Sequence, residues 1–99
     1  MNANINALFY PGSIAVVGVS SDPHKLSTIF YNNLIDGGFK GKVFPVNPKY
    51  QNFFGVTCYP NVSAIPDQVD QVAVLIPSEF VLDVVKDCAN KGVKAVLII

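Results

Sequence analysis

The sequence predicts an α/β fold in which a doubly wound parallel sheet lies between two layers of helices. Short β-branched apolar segments alternate with segments of helical periodicity, and this alternation favours parallel strands joined by right-handed crossovers. Of the 99 residues, 51% are hydrophobic and 14% are charged. This composition excludes a disordered chain and suits one domain with a modest core.

The first predicted unit is a strand followed by a helix. Residues 14–19 form a continuous apolar run rich in β-branched residues, which is typical of a strand buried on both faces. We expect the helix at about residues 27–36, with Ser27 as its N-cap and the glycine pair 37–38 as its end. The apolar stripe predicted for this helix consists of Leu26, Phe30 and Leu34.

The second strand is predicted at residues 42–46 and is followed by a long connection. Pro45 lacks a backbone donor, so we expect it at the end of the strand or facing its freer side. In the connection, residues 47–55 are expected to form a loop and residues 56–59 a short extended segment. Residues 61–66 are expected to form a turn or a single helical turn.

The third strand is predicted at residues 71–76, and Pro77 ends it. Ser78 is the expected N-cap of a helix that runs to about Lys91, where Gly92 supplies a left-handed C-terminal residue. The apolar stripe predicted for this helix consists of Val81, Val84, Val85 and Cys88.

The fourth strand is predicted at residues 94–99, and the sequence stops inside it. No turn or covering helix follows, although parallel strands are normally covered on both faces. We therefore expect residues 1–99 to be one domain from the N-terminal part of a longer polypeptide, truncated at this C-terminal strand. A complete small protein that ends on a strand is the alternative.

Composition also excludes several classes of partner. Seven basic residues balance seven acidic ones, so no basic surface is expected for nucleic acid. The apolar runs are far shorter than the ~20 residues that span a bilayer, and the start of the sequence lacks the pattern of a secretory signal. Cys58 and Cys88 stand apart from any ligand cluster and suit free thiols. We expect a cytoplasmic protein without a membrane or nucleic-acid partner and without a metal site.

Three turns are expected to meet at the carboxyl edge of the sheet, where open parallel sheets bind ligands. The turn after the first strand contains Gly18, Ser20 and Ser21, and it leads through Pro23 and Lys25 into the helix. A glycine permits close approach of a ligand, the helix start offers free amides, and the hydroxyls add donors. This combination predicts a cradle for a phosphate or diphosphate.

The other two turns narrow the class of ligand. The glycine-rich dinucleotide fingerprint is absent, and the acidic residue that would hold a ribose diol is replaced by Asn47, Pro48 and Lys49. A lysine there favours an anionic group on the ribose, as in coenzyme A or a phosphorylated nicotinamide cofactor. The third turn contains Ile76 and Pro77.

Each of these residues also has a purely structural interpretation. Gly18 could serve only to form a tight turn, and Ser20 and Ser21 could serve only to cap the start of the helix. Lysines on a protein surface usually contact solvent alone. Asn-Pro is a common turn dipeptide, and proline is common where a helix begins. His24 is interpreted as an exposed loop residue, and the sequence contains no recognisable catalytic set.

Four segments together resemble a known family. They are LFYPGSIAVVGVSSDPHK, GGFKGKVFPVNPKY, GVTCYPNVSAIPDQVD and VAVLIPSEFVLDVVKDCANKGVKAVLII, which follow in order between residues 8 and 99. The chain resembles the N-terminal CoA-binding domain of the NDP-forming acyl-CoA synthetases. This family includes the ADP-forming acetate–CoA ligases and is related to the α-subunit of succinyl-CoA ligase. The resemblance implies a Rossmann-like fold.

The family's motifs suggest which residues contact coenzyme A. The pattern G-A-S-x-x-P-x-K-x-G falls on residues 18–27, with Val19 in place of alanine and Ser27 in place of the last glycine. The pattern P-V-N-P-K matches residues 45–49, which implies that Lys49 faces a phosphate of coenzyme A. Ile76-Pro77 would line the nucleotide or pantetheine path.

The resemblance also implies a reaction and partners. In this family, acyl-CoA, ADP and phosphate are interconverted with carboxylic acid, CoA and ATP through an acyl phosphate and a phosphorylated histidine. That histidine, ATP/ADP and Mg²⁺ would belong to missing domains, so this domain would position the thiol without breaking a bond. The remaining domains or subunit of the ligase are the expected partners, and an oligomer is one compatible assembly.

Two other functions remain open at this stage. They are a stand-alone, non-catalytic CoA-binding protein and a CoA-binding domain fused to a protein acetyltransferase. An NADP-dependent reductase is disfavoured by the absent glycine fingerprint.

Overall fold

The computed structural model describes residues 3–99. Its helices are α1 (Ala3–Phe9), α2 (Leu26–Asp36) and α3 (Val81–Lys91), and its single 3-10 turns are Val62–Ala64 and Ser78–Phe80. Its strands are β1 (Ser13–Val17), β2 (Lys42–Val46), β3 (Asn52–Phe53), β4 (Val56–Thr57), β5 (Gln71–Val74) and β6 (Ala95–Ile98).

The central sheet is parallel and has the strand order β2-β1-β5-β6. From β1 the chain moves outward to β2, then returns across β1 to β5, so the direction of winding changes between β1 and β5. Such a change creates a crevice at the carboxyl ends of the two strands.

Two separate apolar cores lie on the two faces of the sheet. One face packs against α3, and its core includes Val17, Val72 and Cys88. The other face packs against α2, and its core includes Val16 and Tyr31. Because β1 contributes to both cores and is buried along its whole length, the predicted three-layer, doubly wound arrangement is confirmed.

The strands end earlier than the sequence predicts. β1 ends at Val17, because Gly18 adopts a left-handed φ of 101° and turns the chain away. β5 ends at Val74, and the backbone amide of Leu75 donates one more hydrogen bond to the carbonyl of Val17. The apolar residues beyond each strand therefore belong to the turns at the carboxyl edge.

Pro45 lies where its missing donor has no cost to the sheet. It is the penultimate residue of β2, an outer strand, and it pairs in register with Val16. Its carbonyl faces outward and accepts from the amide of Tyr59 at 3.0 Å. Of the two expected placements of Pro45, at the end of the strand or facing its freer side, the second is confirmed.

The connection after β2 is more ordered than predicted. β3 and β4 form a small antiparallel hairpin inside the region expected to be a loop and a single extended segment. Its tight turn places Phe54 at φ 47° and Gly55 at φ 84°. The ring of Phe53 packs edge-on against Tyr31 of α2 at 5.2 Å between centroids, which fixes the hairpin on the domain. The expected helical turn is confirmed at Val62–Ala64.

The start and buried face of α2 differ from the prediction. Lys25 precedes the helix in an extended conformation, and no side chain caps the helix there. Ser27 is not the N-cap but a buried residue of the first turn, together with Thr28 and Tyr31. Leu26 is exposed, because the buried face of the helix runs through residues 27, 28 and 31. Gly37 and Gly38 end the helix as predicted.

The helix α3 largely follows the sequence. Ser78 does not cap it, because a 3-10 turn begins there and α3 starts at Val81. Gly92 adopts the predicted left-handed conformation. Three residues of the predicted stripe pack on the core, namely Val81, Val84 and Cys88. Within residues 3–99, none of the helices has the length and apolarity needed to cross a bilayer.

Candidate functional site

A cleft of about 680 Å³ opens at the carboxyl edge of the sheet. It lies at the change in winding between β1 and β5, with the first turns of α3 forming its far wall. The structure brings seven of the residues predicted from the sequence together in its lining: Gly18, Lys25, Asn47, Pro48, Lys49, Ile76 and Pro77.

Three predicted residues do not line the cleft. Ser20 accepts a hydrogen bond from the amide of Asp22 at 3.1 Å, and Ser21 lies 3.3 Å from the Tyr50 hydroxyl. Pro23 belongs to the same turn and is exposed. These residues shape the β1–α2 turn from its outer side.

Gly18 is required by the turn itself. Its φ of 101° is a conformation that other residues rarely adopt. A Cβ atom at this position would overlap the carbonyl oxygen of Leu75 and lie 2.8 Å from Cγ2 of Ile76. The absence of a side chain therefore lets the turns after β1 and β5 pack directly together beside the cleft.

The start of α2 presents free backbone donors next to Lys25. The amides of Thr28 and Ile29 are the first to bond into the helix, both to the carbonyl of Lys25 at 3.1 Å. The amides of Leu26 and Ser27 precede them and have no acceptor within the helix. Donors at a helix start, together with the helix dipole, favour an anion at this end.

Thr28 fixes the preceding turn to the helix. Its hydroxyl lies 2.7 Å from the carbonyl oxygen of Ser20 and 2.6 Å from that of Asp22. The side chain of Asp22 in turn accepts from the amide of His24 at 3.0 Å. These local bonds tie the β1–α2 turn to the first turn of α2.

Asn47 connects two of the three turns. Its side-chain amide donates to the carbonyl of Val19 at 2.8 Å, and its side-chain oxygen accepts from the amide of Lys49 at 2.8 Å. Its backbone amide also donates to the carbonyl of Tyr59 at 2.9 Å. Both polar atoms of the side chain are thus engaged within the protein, and Asn47 acts as a brace that orients the segment carrying Lys49.

The cleft has walls of opposite charge. Lys25 and Lys49 lie on the side of β1 and β2, and neither takes part in the ion pairs found among the described residues. Asp83 and Asp87 lie on the α3 side. The carboxylate of Asp87 is held by the amide of Val62 at 2.8 Å and by the amide and hydroxyl of Ser63.

The sequence did not predict the α3 wall or the segment that packs against it at Val62. These additional lining residues are Pro60, Asn61, Val62, Phe80, Asp83, Val84 and Asp87. The α3 residues could have been found, because a helix that follows a parallel strand begins at the carboxyl edge of the sheet. Residues 60–62 gave no such signal, since their position depends on the path of a long connection.

Cys58, Cys88 and His24 lie outside the lining of the cleft. Burial, and secondarily the negative charge of Asp87, raises the pKa of Cys88 to about 11, and burial also raises the pKa of Cys58. Both thiols are therefore protonated and poor nucleophiles near neutral pH. His24 is exposed and lies outside the cleft lining. The described residues contain no group of three or more His, Cys, Asp or Glu side chains placed to hold a metal ion.

Comparison with curated proteins identifies relatives that are much longer than this chain. An ADP-forming acetate–CoA ligase II of Archaeoglobus fulgidus is 38% identical over 96 residues, which are 97% of this chain and 14% of that protein. The α-subunit of an ADP-forming acetate–CoA ligase I of Pyrococcus furiosus is 41% identical, across 97% of this chain and 22% of the subunit. The chain thus spans less than a quarter of the length of these relatives.

Solved structures share the fold closely. The acetyl-coenzyme A synthetase 1 of Ca. Korarchaeum cryptofilum, solved with phosphate and ADP, matches with a TM-score of 0.87 and 46% identity. The match covers 93% of this chain and 20% of that one. A shorter conserved hypothetical protein of Pyrococcus furiosus matches with a TM-score of 0.80 and 33% identity, covering 88% of this chain and 73% of that one.

The chain also matches a protein-family model. The model described as a CoA binding domain matches residues 12–99, which include all strands of the central sheet and the whole cleft. The resemblance predicted from the four sequence segments is confirmed, and so is the Rossmann-like fold. The chain belongs to the family of CoA-binding domains found in ADP-forming acyl-CoA synthetases.

Proposed function

We propose that this domain holds coenzyme A in the cleft at the carboxyl edge of its sheet, as part of an ADP-forming acid–thiol ligase of the acetate–CoA ligase type. One observation carries the proposal. Lys25 and Lys49 line a single cleft, and the free amides at the start of α2 follow Lys25 directly, in a chain of the CoA-binding family. This combination suits a ligand with several phosphates.

The geometry supports an orientation for the ligand. The diphosphate would lie against the turn at Gly18 and the start of α2, close to Lys25, and the ribose phosphate would face Lys49. The carboxylate of Asp83 on the opposite wall would repel phosphates and so keep the anionic part of the ligand on the lysine side. Ile76 and Pro77 would line the path of the nucleotide or the pantetheine arm.

The domain would contribute by proximity rather than by bond chemistry. Holding the CoA thiol in a fixed place reduces the entropy lost when it meets the acyl group. The phosphorylated histidine, ATP/ADP and Mg²⁺ would be supplied by other domains or by a partner subunit, in keeping with the much greater length of the relatives. The cytoplasm is the proposed compartment, because Cys58 and Cys88 are free and buried.

A stand-alone CoA-binding protein is the second candidate. It is favoured by the short Pyrococcus furiosus protein, of which this chain covers 73%. The two candidates differ in one assay on the complete natural polypeptide, namely phosphate- and ADP-dependent release of CoA from acyl-CoA. Turnover supports the ligase, whereas CoA binding without turnover supports the second candidate.

The binding proposal is tested by calorimetric titration of the protein with CoA, dephospho-CoA and NADP. We expect CoA to bind most tightly and dephospho-CoA to bind more weakly by about 1–2 kcal/mol, because it lacks the ribose phosphate that would contact Lys49. NADP should bind worst, since the fold lacks the glycine fingerprint. A preference for NADP, or no binding of any of the three, would reject the proposal.

A further inference from the structure

Tyr50 links the two turns that carry the lysines, and neither the predicted site nor the cleft lining includes it. Its hydroxyl accepts from the backbone amide of Ser21 at 3.2 Å and lies 3.3 Å from the hydroxyl of Ser21. The two residues are 29 positions apart in the sequence. Tyr50 therefore joins the middle of the β1–α2 turn to the segment after β2.

The Tyr50 side chain is itself held in place. Its ring lies 5.6 Å from that of Phe53 between centroids, and it packs at the edge of the core beneath α2. Its backbone amide donates to the carbonyl of Asn47 at 3.3 Å. The hydroxyl therefore reaches Ser21 from a fixed base rather than from a freely rotating side chain.

Tyr50 and Asn47 form a brace with two points of attachment. Asn47 bonds to Val19 at the beginning of the β1–α2 turn, and Tyr50 bonds to Ser21 two residues later. Two attachments fix both the position and the direction of the turn, whereas one would leave it free to pivot. Lys25 follows on the same turn, and Lys49 lies between the two bracing residues in the sequence.

We propose that Tyr50 is a positioning residue for coenzyme A, whose hydroxyl holds the β1–α2 turn at the distance from Lys49 that the phosphates require. This inference rests on the proposed function, because it assigns the brace to the same cleft. Fixing the turn before the ligand binds reduces the ordering that binding would otherwise require. Removing the brace should therefore weaken binding without removing any direct contact to the ligand.

The test compares Tyr50→Phe with Tyr10→Phe in the complete natural polypeptide. The first variant removes the bracing hydroxyl and keeps the ring on Phe53, and the second removes a hydroxyl at the amino edge of the sheet, where Tyr10 is 78% exposed. We expect Tyr50→Phe to raise the Kd for CoA by about three- to ten-fold, the range of one lost hydrogen bond. Tyr10→Phe should leave the Kd unchanged.

Two further measurements separate positioning from a general structural role. The midpoint of thermal unfolding should shift by less than about 2 °C in Tyr50→Phe, because the lost bond is exposed. In protein labelled with 3-fluorotyrosine, the ¹⁹F resonance that disappears in Tyr50→Phe should shift during titration with CoA. The resonance of Tyr10 should stay in place.

The outcomes distinguish failure of this inference from failure of the proposed function. If wild type and Tyr50→Phe bind CoA equally, Tyr50 has no positioning role, and the CoA site stands. Tighter binding by Tyr50→Phe would mean that the hydroxyl blocks the Ser21 amide, which also overturns the inference. If wild type does not bind CoA, the proposed function fails and the inference fails with it.

Discussion

The two edges of the parallel sheet use polar residues in opposite ways. At the amino edge, polar groups bond to one another: Asp70 accepts from the amide of Gly12 at 2.8 Å and pairs with Lys94 at 3.6 Å. Ser13 donates to Gln68 and accepts from the amide of Asp70, and Gln71 donates to the carbonyls of Ala7 and Leu8. At the carboxyl edge, Lys25 and Lys49 border a cleft, and the ion pairs among the described residues involve neither.

This difference separates residues that stabilise the fold from residues available to a ligand. Polar groups that bond to one another at the amino edge hold the ends of β1 and β5 together. At the carboxyl edge, hydrogen bonds shape the turns, and under the proposed function the amides at the start of α2 and the ammonium groups of Lys25 and Lys49 would bind an anion. Substitutions at the two edges should therefore affect different measurements.

The largest effect is expected from Gly18→Ala, which changes the carboxyl edge itself. The new Cβ would overlap the Leu75 carbonyl, and the alanine would have to keep a left-handed φ. We therefore expect a loss of about 2–4 kcal/mol in the free energy of unfolding, together with loss of CoA binding. Denaturant unfolding and calorimetry measure the two effects.

The matched control is Gly38→Ala, which has a φ of 83° but no atom within 4 Å of the new Cβ. Gly38→Ala should lower the free energy of unfolding by only about 1–2 kcal/mol, because it introduces backbone strain and no steric overlap. CoA binding should be unchanged. Equal effects of the two variants would show that contact between the β1 and β5 turns is not what requires Gly18.

At the amino edge, Asp70→Ala should lower stability and leave the ligand site unchanged. It removes the acceptor of the Gly12 amide and the partner of Lys94, and we expect a loss of about 1–2 kcal/mol. Asp67→Ala is the control, because its pair with Lys42 is exposed and should contribute less than about 1 kcal/mol. A changed Kd for CoA in Asp70→Ala would contradict the separation of the two edges.

Lys49→Ala should have the reverse pattern, with weaker ligand binding and unchanged stability. Losing one charge-assisted contact to the ribose phosphate should weaken the binding of CoA by about 1–2 kcal/mol. Dephospho-CoA should bind this variant as tightly as CoA does, because the group that distinguishes them would have lost its partner. Lys42→Ala, at the amino end of β2, controls for the general loss of a positive charge.

If Lys49→Ala still prefers CoA over dephospho-CoA, the ribose phosphate lies elsewhere. Measuring CoA and dephospho-CoA on wild type and on Lys49→Ala forms a double-mutant-type cycle. It isolates the contact between Lys49 and the ribose phosphate, because any loss of affinity that both ligands share cancels.

The smallest effect is expected from pH. Hydrogen bonds from the Ser21 hydroxyl and amide favour the tyrosinate and lower the pKa of Tyr50 below its usual value near 10, and Lys49 acts in the same direction. A lowered pKa means that negative charge appears on this residue at a lower pH than on an ordinary tyrosine. That charge opposes an anionic ligand, so CoA affinity should fall as pH rises toward 10.

Tyr50→Phe separates this effect from the titration of the lysines, which both proteins share. Wild type should lose about two- to three-fold more affinity than the variant over the alkaline range, a small factor because the hydroxyl is exposed to solvent. Identical pH profiles in calorimetric titrations would show that ionisation of Tyr50 does not reach the ligand.

The sequence was sufficient to predict the sheet and the edge that bears the cleft. Apolar runs rich in β-branched residues identified β1 and β5, and Gly92 identified the end of α3, because such patterns act locally. Ser27 was misassigned, since a serine suits both a helix cap and a close contact between helix and sheet. The hairpin was missed because Phe54, not a glycine, occupies the first left-handed position of its turn.

Part of the cleft lining could be predicted from the sequence, because the order of strands and turns along the chain is a local pattern. Lysines and turn residues could be assigned to the cleft from their order along the strands. The bracing roles of Asn47 and Tyr50 could not, because each depends on a partner 28 or 29 residues away. A contact at that sequence distance has no local pattern, and only the packed fold reveals it.

Pro45 has a consequence for how the sheet can be extended. On the outer side of β2, Pro45 offers no donor and its carbonyl is already bonded to Tyr59, so the carboxyl half of that margin cannot recruit another strand. The opposite margin, β6, is apolar and keeps Ile98 largely uncovered. A further strand added at the carboxyl half of the sheet would therefore have to pair with β6 rather than with β2.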